Sequence, residues 1–234
     1  MVLMRSARFI GPFKKSSIYA LPIQTISKDE LWEKYYIQFF GSNVFPVSMW
    51  GKLYRISTLH SAHLKPTGYK RSEDLFFNLK LFPHLSKVSV IEYEGYMYRM
   101  GGSTSKYNPS LYSDYCLMNK LKFEEAYKNG FTKAYPYLVA ELRNYFTAQL
   151  WQDLRYNSYD YTTAIRQIEQ KLQDKYLQEA MSQDYAPNNM EIDKYILARD
   201  AEKVYDIIKH GHHWSFMAKY VQFVNRILIA IFRS

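Results

Sequence analysis

Two carboxylates, Glu73 and Asp74, open an apolar-periodic run in Ser72-Glu73-Asp74-Leu75, and a Trp50-Gly51-Lys52-Leu53-Tyr54-Arg55 box stands about twenty residues before them. An acidic pair behind a serine is first of all a helix start: Ser72 caps, and the acids answer the positive end of the backbone dipole. The same electrostatics keep a carboxylate ionised and fixed in direction, which a general base working on a hydroxyl also requires. A third group follows in Tyr96-Met97-Tyr98-Arg99-Met100-Gly101-Gly102-Ser103-Thr104-Ser105, where an apolar run ends in a cation and hydroxyls. Other chemistry is thinly represented. His210, His212 and His213 lack the cysteine or carboxylate that would complete a metal set, and read as a solvated turn. The single cysteine, Cys116, has no evident base beside it in the sequence and excludes an internal disulfide, which favours a reducing compartment.

Taken in order, the Trp50 box, the Glu-Asp-Leu-Phe-Phe-Asn start at 73–78 and the Tyr-Met-Tyr-Arg end at 96–99 resemble the acceptor-side half of family-2 glycosyltransferases of the GT-A fold. Within that family the bacterial enzymes of capsule, lipopolysaccharide and other surface-polysaccharide synthesis are the most similar. The resemblance covers about residues 20 to 110 and rests on the order and spacing of short boxes. It implies an inverting transfer from a nucleotide sugar, with Asp74 as the base that takes the acceptor proton and Glu73 orienting acceptor or base. It further implies Trp50 beside the sugar, Lys52 anchoring its box near charged groups, and Arg99, with Tyr98 and Ser103, reaching a diphosphate or an acceptor phosphate. From the residues alone, Trp50 reads equally as a core aromatic, Lys52 and Arg55 as an exposed face, and Arg99 as a partner of Glu92 or Glu94.

The family also implies Mg²⁺ or Mn²⁺ held by an Asp-x-Asp motif behind a nucleotide-binding β-α-β unit. No Asp-x-Asp occurs in the chain, and no phosphate-binding glycine loop precedes Ser27. The expected enzyme is therefore an N-terminally shortened one, and the alternative is a non-catalytic, membrane-associated or binding remnant of the fold.

The elements that would hold these residues follow from periodicity. Residues 1–27 show no clean period and read as a loop with one short strand. A helix of about three turns is expected from Ser27, with Leu31, Trp32, Tyr35, Tyr36, Phe39 and Phe40 on one face. Residues 43–56 suit a short strand or an irregular segment leading into the Trp50 box, Ser72 starts a helix that Pro83 closes, and Val88 to Met100 is the best strand in the chain. Beyond Asn108-Pro109 four helices are expected, marked by Leu111–Leu121, Leu138–Gln149, Ile165–Leu172 and Ile192–Ile208. The fold class is thus α/β, a partial GT-A-like domain over 1–108, followed by a helical region over 109–234.

Composition bounds the partners. The chain has 234 residues, 47% apolar and 18% aromatic, with a formal charge of +9 that gathers at both ends. That balance suits anionic partners: nucleotide diphosphates, a lipid-linked or glycan acceptor, or an acidic membrane surface. No nucleic-acid reader motif accompanies it. Residues 214–232 form a helical pattern with Lys219, Arg226 and Arg233 on a stripe beside an aromatic, apolar body, which suits a membrane surface or packing on a bundle and does not suit a bilayer span. The expected location is the cytoplasm, peripheral on the inner face of the membrane if that helix binds lipid.

Overall fold

The structure, a computed structural model, describes residues 1–10, 13–17, 21–36, 48–64, 73–99 and 107–210. These fall into two compact units: Met1–Thr104 with Leu121–Ala134, and Ser105–Lys120 with Tyr135–Ser234.

The first unit is built on a mixed five-stranded sheet. Strand β1 (Val2–Ile10) lies at its centre and pairs antiparallel with β2 (Phe13–Ser17) and parallel with β5 (Lys87–Arg99). The short β4 (Lys52–Leu53) joins β1 beside Val2 and Leu3, and β3 (Thr25–Ser27) closes the far edge on β5. This corrects the expectation of a loop over residues 1–27, most of which are strand. Arg5 and Lys14 interrupt the apolar period that would have marked the strands, and both reach carboxylates of β5, Arg5 with Glu92 at 2.7 Å and Lys14 with Glu94. Leu3, Met4, Ser6 and Ala7 are buried.

Two bulges let β5 slip past β1 between Met4 and Ser6. Gly95 sits at the slip, and a side chain there would run into the Met4 side chain. Val88 and Val90 bury one face of β5, as its β-branched sequence predicts.

Helix α1 (Lys28–Glu30) is capped by Ser27, whose Oγ accepts the Glu30 amide at 3.3 Å, and passes directly into a π turn over Leu31–Tyr35. The Tyr36 amide reaches back five residues to the Leu31 carbonyl, so Leu31 and Tyr36 share one buried face at a spacing no α-helix gives. Tyr36 stacks on Trp32 (4.6 Å) and Phe82 (5.0 Å) and meets Phe131 edge-on (4.6 Å). Phe39 and Phe40, expected on the same face, lie outside the described residues. Helix α2 (Ile56–Ser61) follows β4. Helix α3 (Glu73–Leu81) buries Leu75, Leu79 and Leu81 and ends in a 3₁₀ turn, Phe82–His84, at Pro83.

Helix α4 (Leu111–Lys128) begins in the second unit and ends in the first. The second unit continues with α5 (Tyr135–Tyr156), α6 (Tyr161–Leu172), α7 (Lys175–Met181), α8 (Glu191–Ala198) and α9 (Ala201–His210). Its core is the set of apolar stripes named from the sequence: Leu138, Leu142, Phe146, Ile168, Leu172, Ile196, Val204 and Ile208 are all buried. Caps explain its breaks. Asp160 accepts the Thr163 amide at 2.7 Å, Asp174 that of Leu177 at 2.8 Å, and Asp200 that of Lys203 at 3.0 Å. The single helix expected over 192–208 is therefore two, since Arg199 turns left-handed (φ 55°) and Asp200 starts a new helix. Helix α7 was not expected at all. The chain is thus a small mixed sheet with helices, followed by a helical region.

Candidate functional site

The Trp50 box enters the sheet through a left-handed glycine, Gly51 (φ 71°), whose carbonyl accepts the Met4 amide at 2.9 Å. On the near side of that turn Trp50 stacks on Tyr96 (4.6 Å, 16°) and leans on Tyr98 (5.6 Å, 31°). Three aromatic rings from β5 and the box thus stand together, in the arrangement that covers apolar surface while leaving polar edges wet.

On the far side of Gly51 the Lys52 side chain turns inward. It is 7% exposed, and its ammonium donates to the Ser48 carbonyl. Burial pushes this ammonium down to about 7, against the opposing pull of the Asp74 charge. Lys52 is not part of an exposed face, which corrects that reading of the box; Arg55 is exposed.

Asp74 occupies the second position of α3 and is half-buried, while Glu73 beside it is exposed. Its carboxyl is raised above the usual range by burial, and a hydrogen bond from the Met49 amide and the charge of Lys52 pull it back. One turn further on, the buried Asn78 ties the pieces together. Its Nδ2 donates to the Asp74 carbonyl at 2.7 Å and the Ser48 carbonyl at 3.3 Å, and its Oδ1 accepts from the Tyr54 hydroxyl at 3.2 Å. The Tyr54 hydroxyl also lies 3.3 Å from the Met49 carbonyl, and its ring meets Phe77 edge-on at 5.4 Å. Burial, and then the Asp74 charge, push the Tyr54 phenol well above its ordinary value, so it stays protonated.

Of the residues singled out from the sequence, Trp50 and Tyr98 meet in the aromatic group, and Lys52 and Asp74 meet across Ser48-Met49. Glu73 is on the surface next to them. Arg99 contributes its backbone to β5 opposite Phe9; its side chain, like Ser103, lies outside the described residues. Glu92 and Glu94, considered as partners for Arg99, pair with Arg5 and Lys14. Sequence reasoning missed Tyr54, Asn78 and Tyr96. The signal was present: Tyr54 is two residues from Lys52 in the same box, and Asn78 is four from Asp74 on the same helix face.

The chemistry available is that of one directed carboxylate of raised pKa facing an ammonium of lowered pKa beside an aromatic surface. It does not fit a divalent cation, because Asp74 already has an amide and a cation before it, and no group of three metal-ligating side chains exists among the described residues. Elsewhere, the Cys116 thiol is pushed up by burial, so it is a poor nucleophile. His210 ends α9; His212, His213 and the helix expected over 214–232 lie outside the described residues. Among the described residues no helix is long and apolar enough to cross a membrane. Comparison of the chain with protein-family models, curated proteins and solved structures gave no match.

Proposed function

We propose that this chain carries the acceptor and base side of an inverting glycosyl transfer from a nucleotide sugar, in the synthesis of a bacterial surface glycan. The observation that supports it is the meeting of Asp74 with the Trp50 box through Met49, Lys52 and Asn78, since a base needs a fixed direction and a raised proton affinity together. In the proposed step an acceptor hydroxyl gives its proton to the Asp74 carboxylate as its oxygen bonds to the anomeric carbon. The bond from that carbon to the nucleotide phosphate breaks, and its electron pair leaves with the phosphate oxygen. Trp50 would cover the apolar side of the sugar, with Tyr96 and Tyr98 behind it. Glu73 would orient the acceptor from the surface. Arg99 and Ser103 stay in the proposal through the family resemblance alone, as does a membrane-facing role for residues 214–232.

A second reading is favoured by the three aromatic rings themselves: a module that binds sugar without transferring it. Incubating the purified chain with UDP-, GDP- and CMP-sugars in Mg²⁺ or Mn²⁺, and measuring both binding and nucleotide release, separates the two. Transfer requires release with at least one donor. Failure of every donor to bind or turn over contradicts catalysis by this chain, and retained binding of free glycan then supports the second reading.

A further inference from the structure

The Trp50 box has a second side. While Lys52 and the Tyr54 hydroxyl turn toward Ser48 and Asn78, Leu53 and Arg55 line a cleft of about 600 Å³, well within the range of small-molecule sites. Its wall is completed by Met1 and Val2 at the start of β1, by Ser57 and Thr58 of α2, and by Leu85, Ser86, Lys87 and Ser89 leading into β5. Arg55, Lys87 and the hydroxyl residues Ser57, Thr58 and Ser86 are thus gathered around one space, with Ser89 beside them paired to Thr25 at 2.9 Å, and no carboxylate is among the lining residues. The cations converge: Arg55 and Lys87 both act on the Met1 amine, lowering its proton affinity after burial has done so. The amine itself donates to the Lys87 carbonyl at 3.1 Å.

A cleft lined by cations without an acid favours an anionic ligand. The donors present suit a phosphoryl group, because a guanidinium forks onto two phosphate oxygens while an ammonium and hydroxyls take the others. We infer that this cleft, formed where β1 and β5 begin, is a binding site for a phosphate-bearing ligand. It lies away from the aromatic group along the sheet, since Ser89 stands opposite Val2 and Tyr98 opposite Arg8, six residues further along β1 and roughly 20 Å at ordinary strand rise. Tyr54 is also among the lining residues, and its hydroxyl bonds Asn78. The inference does not depend on transfer by Asp74.

Titrating the full chain with pyrophosphate, with acetate at equal ionic strength as control, and following the heat of binding tests it. Saturable pyrophosphate binding is expected, reduced at least tenfold in the Arg55→Gln/Lys87→Gln double variant and unchanged in Lys14→Gln. Both cleft residues are exposed, so the double variant should keep its circular dichroism spectrum. A parallel arm uses vesicles of phosphatidic acid and phosphatidylcholine. Loss of vesicle binding in the double variant, with pyrophosphate ignored by both proteins, assigns the phosphate to a lipid headgroup. Equal behaviour of parent and double variant in both arms overturns the site.

Discussion

At the scale of single residues, the account turns on Lys52 and Asp74, two charges that the fold brings together and partly dehydrates. Lys52 has the plainer consequence. Its folded pKa of about 7 is depressed below the value of an unfolded lysine, so between pH 7 and about 10 the unfolded chain binds the extra proton and stability rises with pH. Chemical denaturation at a series of pH values should show stability climbing from pH 7 toward 10 in the parent chain, and a clearly shallower climb in Lys52→Met. A slope undiminished in Lys52→Met would place its origin elsewhere. Asp74 and Lys52 were legible as residues with chemistry because their types and spacing were sufficient. That Lys52 is buried was not legible, because a lysine between glycine and leucine reads as a surface residue unless the left-handed turn at Gly51 is known.

At the scale of elements, β5 and most of the longer helices could be read from period and caps, whereas α2, α7, the break between α8 and α9, and β1 could not. The nine residues of β1 hold the centre of the sheet, but their alternation is interrupted by Arg5, which needs Glu92 of a strand more than 80 residues away to make it intelligible. Long-range pairing of this kind leaves no local signal. The π turn at Leu31–Tyr35 was hidden for a related reason, since an apolar run of six aromatics and leucines satisfies several helical periods at once. Two changes test how these elements hold the site. Gly95→Val should drive a side chain into Met4 at the bulge and cost about 1–3 kcal/mol in denaturant unfolding, where a purely exposed strand position would gain from valine. Asn78→Leu should remove the ties from α3 to Ser48 and Tyr54, costing about 1–3 kcal/mol and lowering ligand turnover together with it. An Asn78→Leu chain of parent stability and turnover would show that Asn78 does not hold Asp74 in place.

At the scale of the whole molecule, the two units have different logics. The sheet unit carries the charged and aromatic residues argued above, and the helical unit is a set of capped helices around an apolar core that includes a buried ion pair. Arg143 meets Asp193 at 2.8 Å with both side chains nearly dehydrated, and Asp193 also caps α8 through the Met190 amide at 2.9 Å. Removing only the cation leaves an uncompensated buried charge, so Arg143→Met should cost about 3–5 kcal/mol by denaturation, while Arg143→Met with Asp193→Asn should recover part of that loss. In the sheet unit Arg5 and Lys14 pair with carboxylates of β5, while Arg55 and Lys87 line the cleft. The central claim nevertheless concerns one carboxylate. It is tested most directly by comparing nucleotide release from a donor sugar, in the presence of acceptor, by the parent chain and by Asp74→Asn, which conserves shape and removes basicity. With folding matched by circular dichroism, the account predicts a fall of roughly 100-fold or more. Turnover in Asp74→Asn equal to that of the parent would contradict it.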